Sequence, residues 1–295
     1  MTLPDDALRV LQETSRTFFL PIRQLPAGLQ EAIASAYLCM RAIDEIEDHP
    51  HMERRKKVNL LRQVSRQLQA QTSVEDFPPD AFLNCFVPHQ ASLPEVTRRL
   101  ADWLCLAPEE IAPRIWEAIA AMAERMAGWV ADGWRVQTEA DLDRYTYGVA
   151  GATAVLPCDL WAWARGEQLH RSAAIQFGRG LQAVNILRNR AEDLTRGVDF
   201  FPTGWTSEQM RQYAWGQVMQ AEVYALTLPP AAFEALIHIP LALAKATLDA
   251  LERGETKLSR SEVLSIVGQI QTRARGNFPS VSSTDRQPQG PIHCK

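Results

Sequence analysis

The chain is poor in the residues that staple or punctuate a fold. Among 295 residues there are 5 cysteines, 15 glycines and 18 prolines. Cys39, Cys85, Cys105, Cys158 and Cys294 are scattered, with no CxxC pair. An odd set without a spacing pattern is no disulfide framework and points to a reducing compartment. The 6 histidines show neither HxxxH nor HExxH spacing, which removes the usual zinc signatures. His49 and His51 read as loop residues and His293 as part of a polar tail. GxGxxG and Walker loops are missing, so no Rossmann unit for NADPH is legible. No uncharged apolar run reaches the roughly 18 residues of a membrane span. The acidic start, Met1 to Asp6, has no basic stretch followed by an apolar core, so no signal peptide is expected. A net charge of −4 leaves no general basic surface, which argues against a nucleic-acid partner. A cytoplasmic protein is expected.

What is present is helical pattern. Hydrophobic residues make up 46% and charged residues 22%, the balance of a globular protein. Apolar positions recur at helical spacing almost throughout, and strand-like alternation is nearly absent. Sparse turn residues divide the chain into segments near 4–16, 28–48, 54–71, 79–86, 93–105, 108–131, 139–165, 170–193, 206–226, 230–253 and 259–275. With no repeat, linker or composition shift, the expectation is one all-α domain over 1–276. A polar stretch, 277–295, unstructured by composition, would follow it. Residues 150–164 carry one charge, Asp159, and residues 235–244 carry none. Such helices sit at the centre of a bundle or line an apolar cavity. Pro157 and Pro240 are expected to kink or break them. Arg54-Arg55-Lys56-Lys57 reads as a solvated helix start.

Two distant stretches present oxygen-bearing side chains on one helix face. Tyr37, Arg41, Asp44 and Asp48 step by 4, 3 and 4; Gln182, Asn185, Asn189 and Asp193 step by 3, 4 and 4. Asp44 and Asp48 are neighbours on their helix and repel each other unless a cation lies between them. Hard divalent ions take such oxygen ligands. Each stretch, taken alone, also fits the polar outer face of an amphipathic helix. Asn and Gln oxygens can ligate magnesium or hold its waters.

Together with three further blocks, these stretches resemble the squalene and phytoene synthases. The blocks are Ser15-Arg16-Thr17-Phe18, the Asp143 to Gly151 segment around Tyr145, and Arg196-Gly197 running to Pro202. The resemblance covers roughly residues 14–276. It implies an all-α bundle of the class I isoprenoid synthase type, with a central apolar cavity and two acidic helices facing each other at its mouth. It implies prenyl diphosphate substrates and two or three Mg2+ ions held through Asp44, Asp48, Asn189 and Asp193. Ser15, Arg16, Arg41, Gln182, Asn185 and Arg188 would contact diphosphate, and Tyr145, Tyr37 and Arg41 would be catalytic. The implied reaction joins two farnesyl diphosphates head to head, giving presqualene diphosphate, squalene or a related triterpene precursor. NADPH enters only if the reaction proceeds to squalene. Peripheral membrane contact for product release is a further expectation; oligomeric state is open. A magnesium-polarised leaving group and a dry apolar cavity suit an allylic carbocation.

Two positions depart from the family pattern. Asn189 stands where the second motif usually begins with Asp, removing one negative charge. Gly151-Ala152-Thr153-Ala154-Val155 replaces a usual Gly-Thr-Val-Gly segment and would reshape the cavity wall. They motivate an alternative on the same fold: a prenyl diphosphate phosphatase or a terpene-synthase-like lyase. A non-catalytic lipid-binding protein ranks below both. A C-terminal anchor like that of eukaryotic squalene synthases is not expected.

Overall fold

Amphipathic spacing becomes helix wherever one face can be buried. The computed structural model describes residues 3–15, 17–71, 84–225 and 234–276. In chain order its α-helices are α1 (Asp5–Thr14), α2 (Phe19–Arg23), α3 (Leu29–Glu47), α4 (Arg54–Gln69), α5 (Glu95–Arg98), α6 (Leu100–Leu104), α7 (Ala112–Ala131), α8 (Glu139–Thr146), α9 (Val155–Arg165), α10 (Arg171–Thr195), α11 (Ser207–Ala225), α12 (Glu234–Glu252) and α13 (Arg260–Gly276). No strand occurs among the described residues, so the all-α class holds. None of their helices is long and apolar enough to cross a membrane.

The centre is α3. It is buried on most of its circumference, including Leu29, Ala32, Leu38, Ile43 and Ile46. It packs against α4, α5, α6, α7 and α9. On α7 the buried Ile115, Ile119, Met122 and Met126 step by 4, 3 and 4 and supply the matching stripe. Each such Leu or Ile, fully buried, contributes about 1.5–3 kcal/mol relative to exposure. A second group forms around α10, which packs on α11, α12, α8 and α9. The two groups enclose a cavity between α3 and α10.

The chain over 139–165 is not one helix. Thr138 caps α8 reciprocally: its hydroxyl accepts from the Asp141 N–H at 3.1 Å, and the Asp141 carboxylate accepts from the Thr138 N–H at 2.9 Å. After α8 the backbone widens into a π-turn over Tyr147–Gly151, where the Ala152 N–H reaches the Tyr147 carbonyl at 2.7 Å. The interruption therefore lies upstream of Pro157, not at it. Pro157 sits in the first turn of α9, where a missing N–H leaves no helical bond unmade. Nor does Pro240 break its helix, since α12 runs through it. The segment 93–105 divides at Arg99 into α5 and α6. The expected helix near 79–86 lies largely outside the described residues, as do the start of the one near 230–253 and the whole of 277–295.

Candidate functional site

A cavity of about 700 Å3 lies between α3, α7, the π-turn, α9, α10 and α12. Much of its lining is apolar, including Ile33, Met122, Met126, Phe177 and Ile237. The low-charge stretches 150–164 and 235–244 both contribute, through Ala150, Ala154, Pro157, Leu236 and others. The lining also includes the oxygen-bearing residues of α3 and α10.

On α3, Tyr37, Arg41, Asp44 and Asp48 all face this cavity. The Tyr37 hydroxyl donates to the Thr14 carbonyl at 3.2 Å, and its ring lies 5.7 Å from that of Phe18. Arg41 pairs with Glu45 one turn on, and its Nε is buried without a hydrogen-bond partner among the described residues. Burial pushes the Asp44 carboxyl up to about 7, partly offset by Arg41 and reinforced by Asp48 and Glu45. Glu47 also lines the cavity. Burial, then the Asp48 charge, raises it to about 8, while a hydrogen bond from the Trp134 indole N–H pulls the other way.

On α10, Gln182, Asn185, Asn189 and Asp193 line the facing wall. Arg188 does not reach it. That side chain is exposed and donates to the Asn185 and Asn189 side-chain oxygens at 2.7 and 3.0 Å. Asn189 in turn donates to Asn185 at 3.0 Å. The Asp193 carboxyl is raised chiefly by burial, against the pull of Arg196, and Asp48 across the cavity raises it further.

Tyr145, from the last turn of α8, lines the same cavity. Its ring stacks on Phe200 at 4.5 Å and meets Trp129 edge-on at 5.2 Å. Burial holds its phenol well above the usual range, and the carboxylates of Glu47, Asp48, Asp193 and Asp44 all add to that. A phenol kept neutral can donate a hydrogen bond to an incoming anion without adding charge.

Arg196 completes the wall and was not among the residues selected from sequence. Its guanidinium bridges the acidic helices, pairing with Asp48 at 2.9 Å and Asp193 at 2.5 Å. Its spacing three residues after Asp193 was the available clue. Lys57 corrects a second reading. Within the basic run 54–57 it alone is buried, and its ammonium donates to the Glu47 carbonyl at 2.5 Å at the end of α3. It also stands 5.4 Å from the Trp134 ring centre. It caps the helix end that carries Asp48.

Ser15 is buried but is not on the cavity wall; its hydroxyl accepts from the Phe18 N–H at 2.9 Å. Arg16 lies outside the described residues.

The sequence matches the family model described as squalene/phytoene synthase over residues 11–267. The chain belongs to the squalene/phytoene synthase family. The squalene synthase of Saccharomyces cerevisiae is 32% identical over 220 residues, covering 70% of this chain and 46% of the yeast protein. That of Schizosaccharomyces pombe is 27% identical over 214 residues, covering 66% of this chain and 43% of the relative. The chain thus spans less than half the length of these curated relatives. A solved structure of TcSQS with the ligand BPH1237 superposes with a TM-score of 0.68 at 19% identity, covering 95% of this chain and 94% of that one. At that identity the likeness establishes the fold.

No group of three or more His, Cys, Asp or Glu side chains among the described residues could hold a metal ion by itself. The donors on the two helices are oxygens, however, from Asp44, Asp48, Asn189 and Asp193. That chemistry suits Mg2+, which is usually held by one or two carboxylates and completes its shell with waters and substrate phosphates.

Proposed function

We propose that this family member is a prenyltransferase that condenses two farnesyl diphosphates head to head, with Mg2+, to presqualene diphosphate or onward to squalene. The observation that carries the reading is that Asp44, Glu47, Asp48, Asn189 and Asp193, from two helices distant in sequence, line one largely apolar cavity together with Tyr145. Asp44 and Asp48 would hold metal, which supplies charge neutralisation to the leaving diphosphate. Asn189 and Asp193 would contribute from the facing helix, Asn189 with no charge. The uncommitted Nε of Arg41 is a donor available to a diphosphate oxygen. Tyr145 would hydrogen-bond the departing diphosphate, and the apolar wall would keep water from the allylic cation. Squalene itself requires NADPH as reductant.

The side-chain oxygens of Asn185 and Asn189 are occupied by Arg188, which favours a second reading: a phosphatase or lyase acting on one prenyl diphosphate at the α3 carboxylates. Product analysis separates the two. Purified protein is incubated with farnesyl diphosphate and Mg2+, with and without NADPH. Presqualene diphosphate, or squalene when NADPH is added, supports condensation, and farnesol or a C15 hydrocarbon alone sinks it. Asp44→Ala should lower the condensation rate about 100-fold, an effect of about 3 kcal/mol on the barrier; a loss of under threefold would remove Asp44 from the site.

A further inference from the structure

We propose that Arg196 is a built-in cation that locks the two acidic helices together, that a divalent ion must displace it from their carboxylates, and that the freed guanidinium then contacts diphosphate. This rests on the metal–diphosphate reading of the same site.

Asp48 and Asp193 come from helices far apart in sequence, and a single guanidinium joins them. One terminal nitrogen of Arg196 lies 2.9 Å from an Asp48 carboxylate oxygen and 3.4 Å from the Asp48 carbonyl; the other lies 2.5 Å from Asp193. The other cations near these carboxylates are committed elsewhere: Arg41 to Glu45, Lys57 to the Glu47 carbonyl. The carboxylates that Arg196 holds are those the family pattern offers to metal. A guanidinium and a divalent ion need the same oxygens, so they exclude each other there.

The backbone around Arg196 allows that exchange. Residue 196 follows the last turn of α10, and Gly197 turns the chain at φ 77°. The Gly197 N–H reaches the Leu194 carbonyl, and the Val198 N–H the Asp193 carbonyl, both at 3.1 Å. These bonds fix the backbone while leaving the long side chain free to change partners. Arg196 lines the cavity and keeps its charge at any working pH. Once displaced, its fork of donors remains on the cavity lining, where it can grip phosphate oxygens.

The test is Mn2+ binding, read from the free-ion electron paramagnetic resonance signal of the full chain with and without inorganic diphosphate. Without diphosphate, Arg196→Gln removes the competitor and should bind Mn2+ about tenfold more tightly than the wild type, the scale of two partly exposed ion pairs. With diphosphate the advantage should vanish or reverse, because glutamine offers the anion no charge. Arg196→Lys, which keeps the charge but cannot bridge two carboxylates as a fork, should gain about threefold; it carries the test if the glutamine variant does not fold. Equal or weaker Mn2+ binding by the folded variants without diphosphate overturns the lock. If the wild type binds no Mn2+ even with diphosphate, the metal–diphosphate reading falls and takes the lock with it. Wild-type binding with unchanged variants removes the lock alone.

Discussion

Gly178 lies so close to Ala150 that a Cβ added to it would stand 2.5 Å from the Ala150 carbonyl oxygen. The obstacle is backbone, so no side-chain rotation relieves it. This contact seats α10 against the π-turn, and the π-turn directly follows the helix that carries Tyr145. π-turns inside helices are common at functional sites. Here the turn resets the chain between Tyr145 and the cavity-lining residues Ala150, Thr153 and Ala154. Gly178→Ala should cost about 1–3 kcal/mol, the range for overpacking a filled site. Thermal unfolding followed by circular dichroism should show a midpoint several degrees lower. A midpoint within one degree of the wild type would mean that the two segments part easily.

Tyr145 can be tested without disturbing its packing. Tyr145→Phe keeps the ring stacked on Phe200 and edge-on to Trp129, and removes only the hydroxyl. The thermal midpoint should barely move. If the phenol hydrogen-bonds the leaving diphosphate, turnover should fall about 100-fold, the lower range for a positioned proton donor. Steady-state kinetics with farnesyl diphosphate would show the loss in kcat; a loss of under threefold would leave Tyr145 as a packing residue.

The all-α class, most helix bounds and both acidic stripes were legible because helical spacing is a local property. Residues 37, 41, 44 and 48 need only one helix to share a face. What was not legible depends on contacts between segments. Pro157 was expected to interrupt its helix, but the π-turn upstream already supplies the interruption, and Gly178 is part of why it fits there. Lys57 looked like one more solvated cation in a basic run. Only the position of the α3 C-terminus makes it a buried cap. Arg196 sat in plain view three residues after Asp193, yet its bridge to Asp48 spans 148 residues of chain. Arg188 had the right neighbours in sequence and points out of the cavity wall, bound to Asn185 and Asn189.

Asn189 is the position at which metal use should respond to a single charge. Its oxygen accepts from Arg188 at 3.0 Å and its amide donates to Asn185 at 3.0 Å. Asn189→Asp removes that donor and places a second carboxylate one turn from Asp193. Added negative charge facing Asp44 and Asp48 should draw magnesium more strongly. The Mg2+ concentration for half-maximal rate should fall several-fold, and initial rates across a magnesium titration would show it. An unchanged titration would take Asn189 out of the metal shell.

Acid stability should depend on a cluster far from the cavity. Arg99 lies 2.5 Å from Asp6, 3.2 Å from Glu95 and 2.7 Å from Asp102, with its guanidinium 4.3 Å from the Trp103 ring centre. It ties α1 to α5 and α6. The hydrogen bond from Arg99 holds the Asp6 carboxyl below its ordinary value. Glu95 is lowered by Arg9 first, at 2.6 Å, and then by Arg99. A carboxylate whose pKa is lower folded than unfolded stabilises the fold above its unfolded value, near pH 4. That contribution is lost as the pH falls through the folded value. Arg99→Ala removes the guanidinium that both carboxylates share. The difference in thermal midpoint between wild type and variant should therefore be largest near pH 7 and shrink below about pH 4. A constant remainder from lost packing on Trp103 should persist at every pH. Salt should narrow the pH-dependent part, because these side chains are partly exposed and screened. Midpoints measured at intervals from pH 7 to pH 3 decide it: a gap of the same size throughout would mean that Arg99 acts only through Trp103.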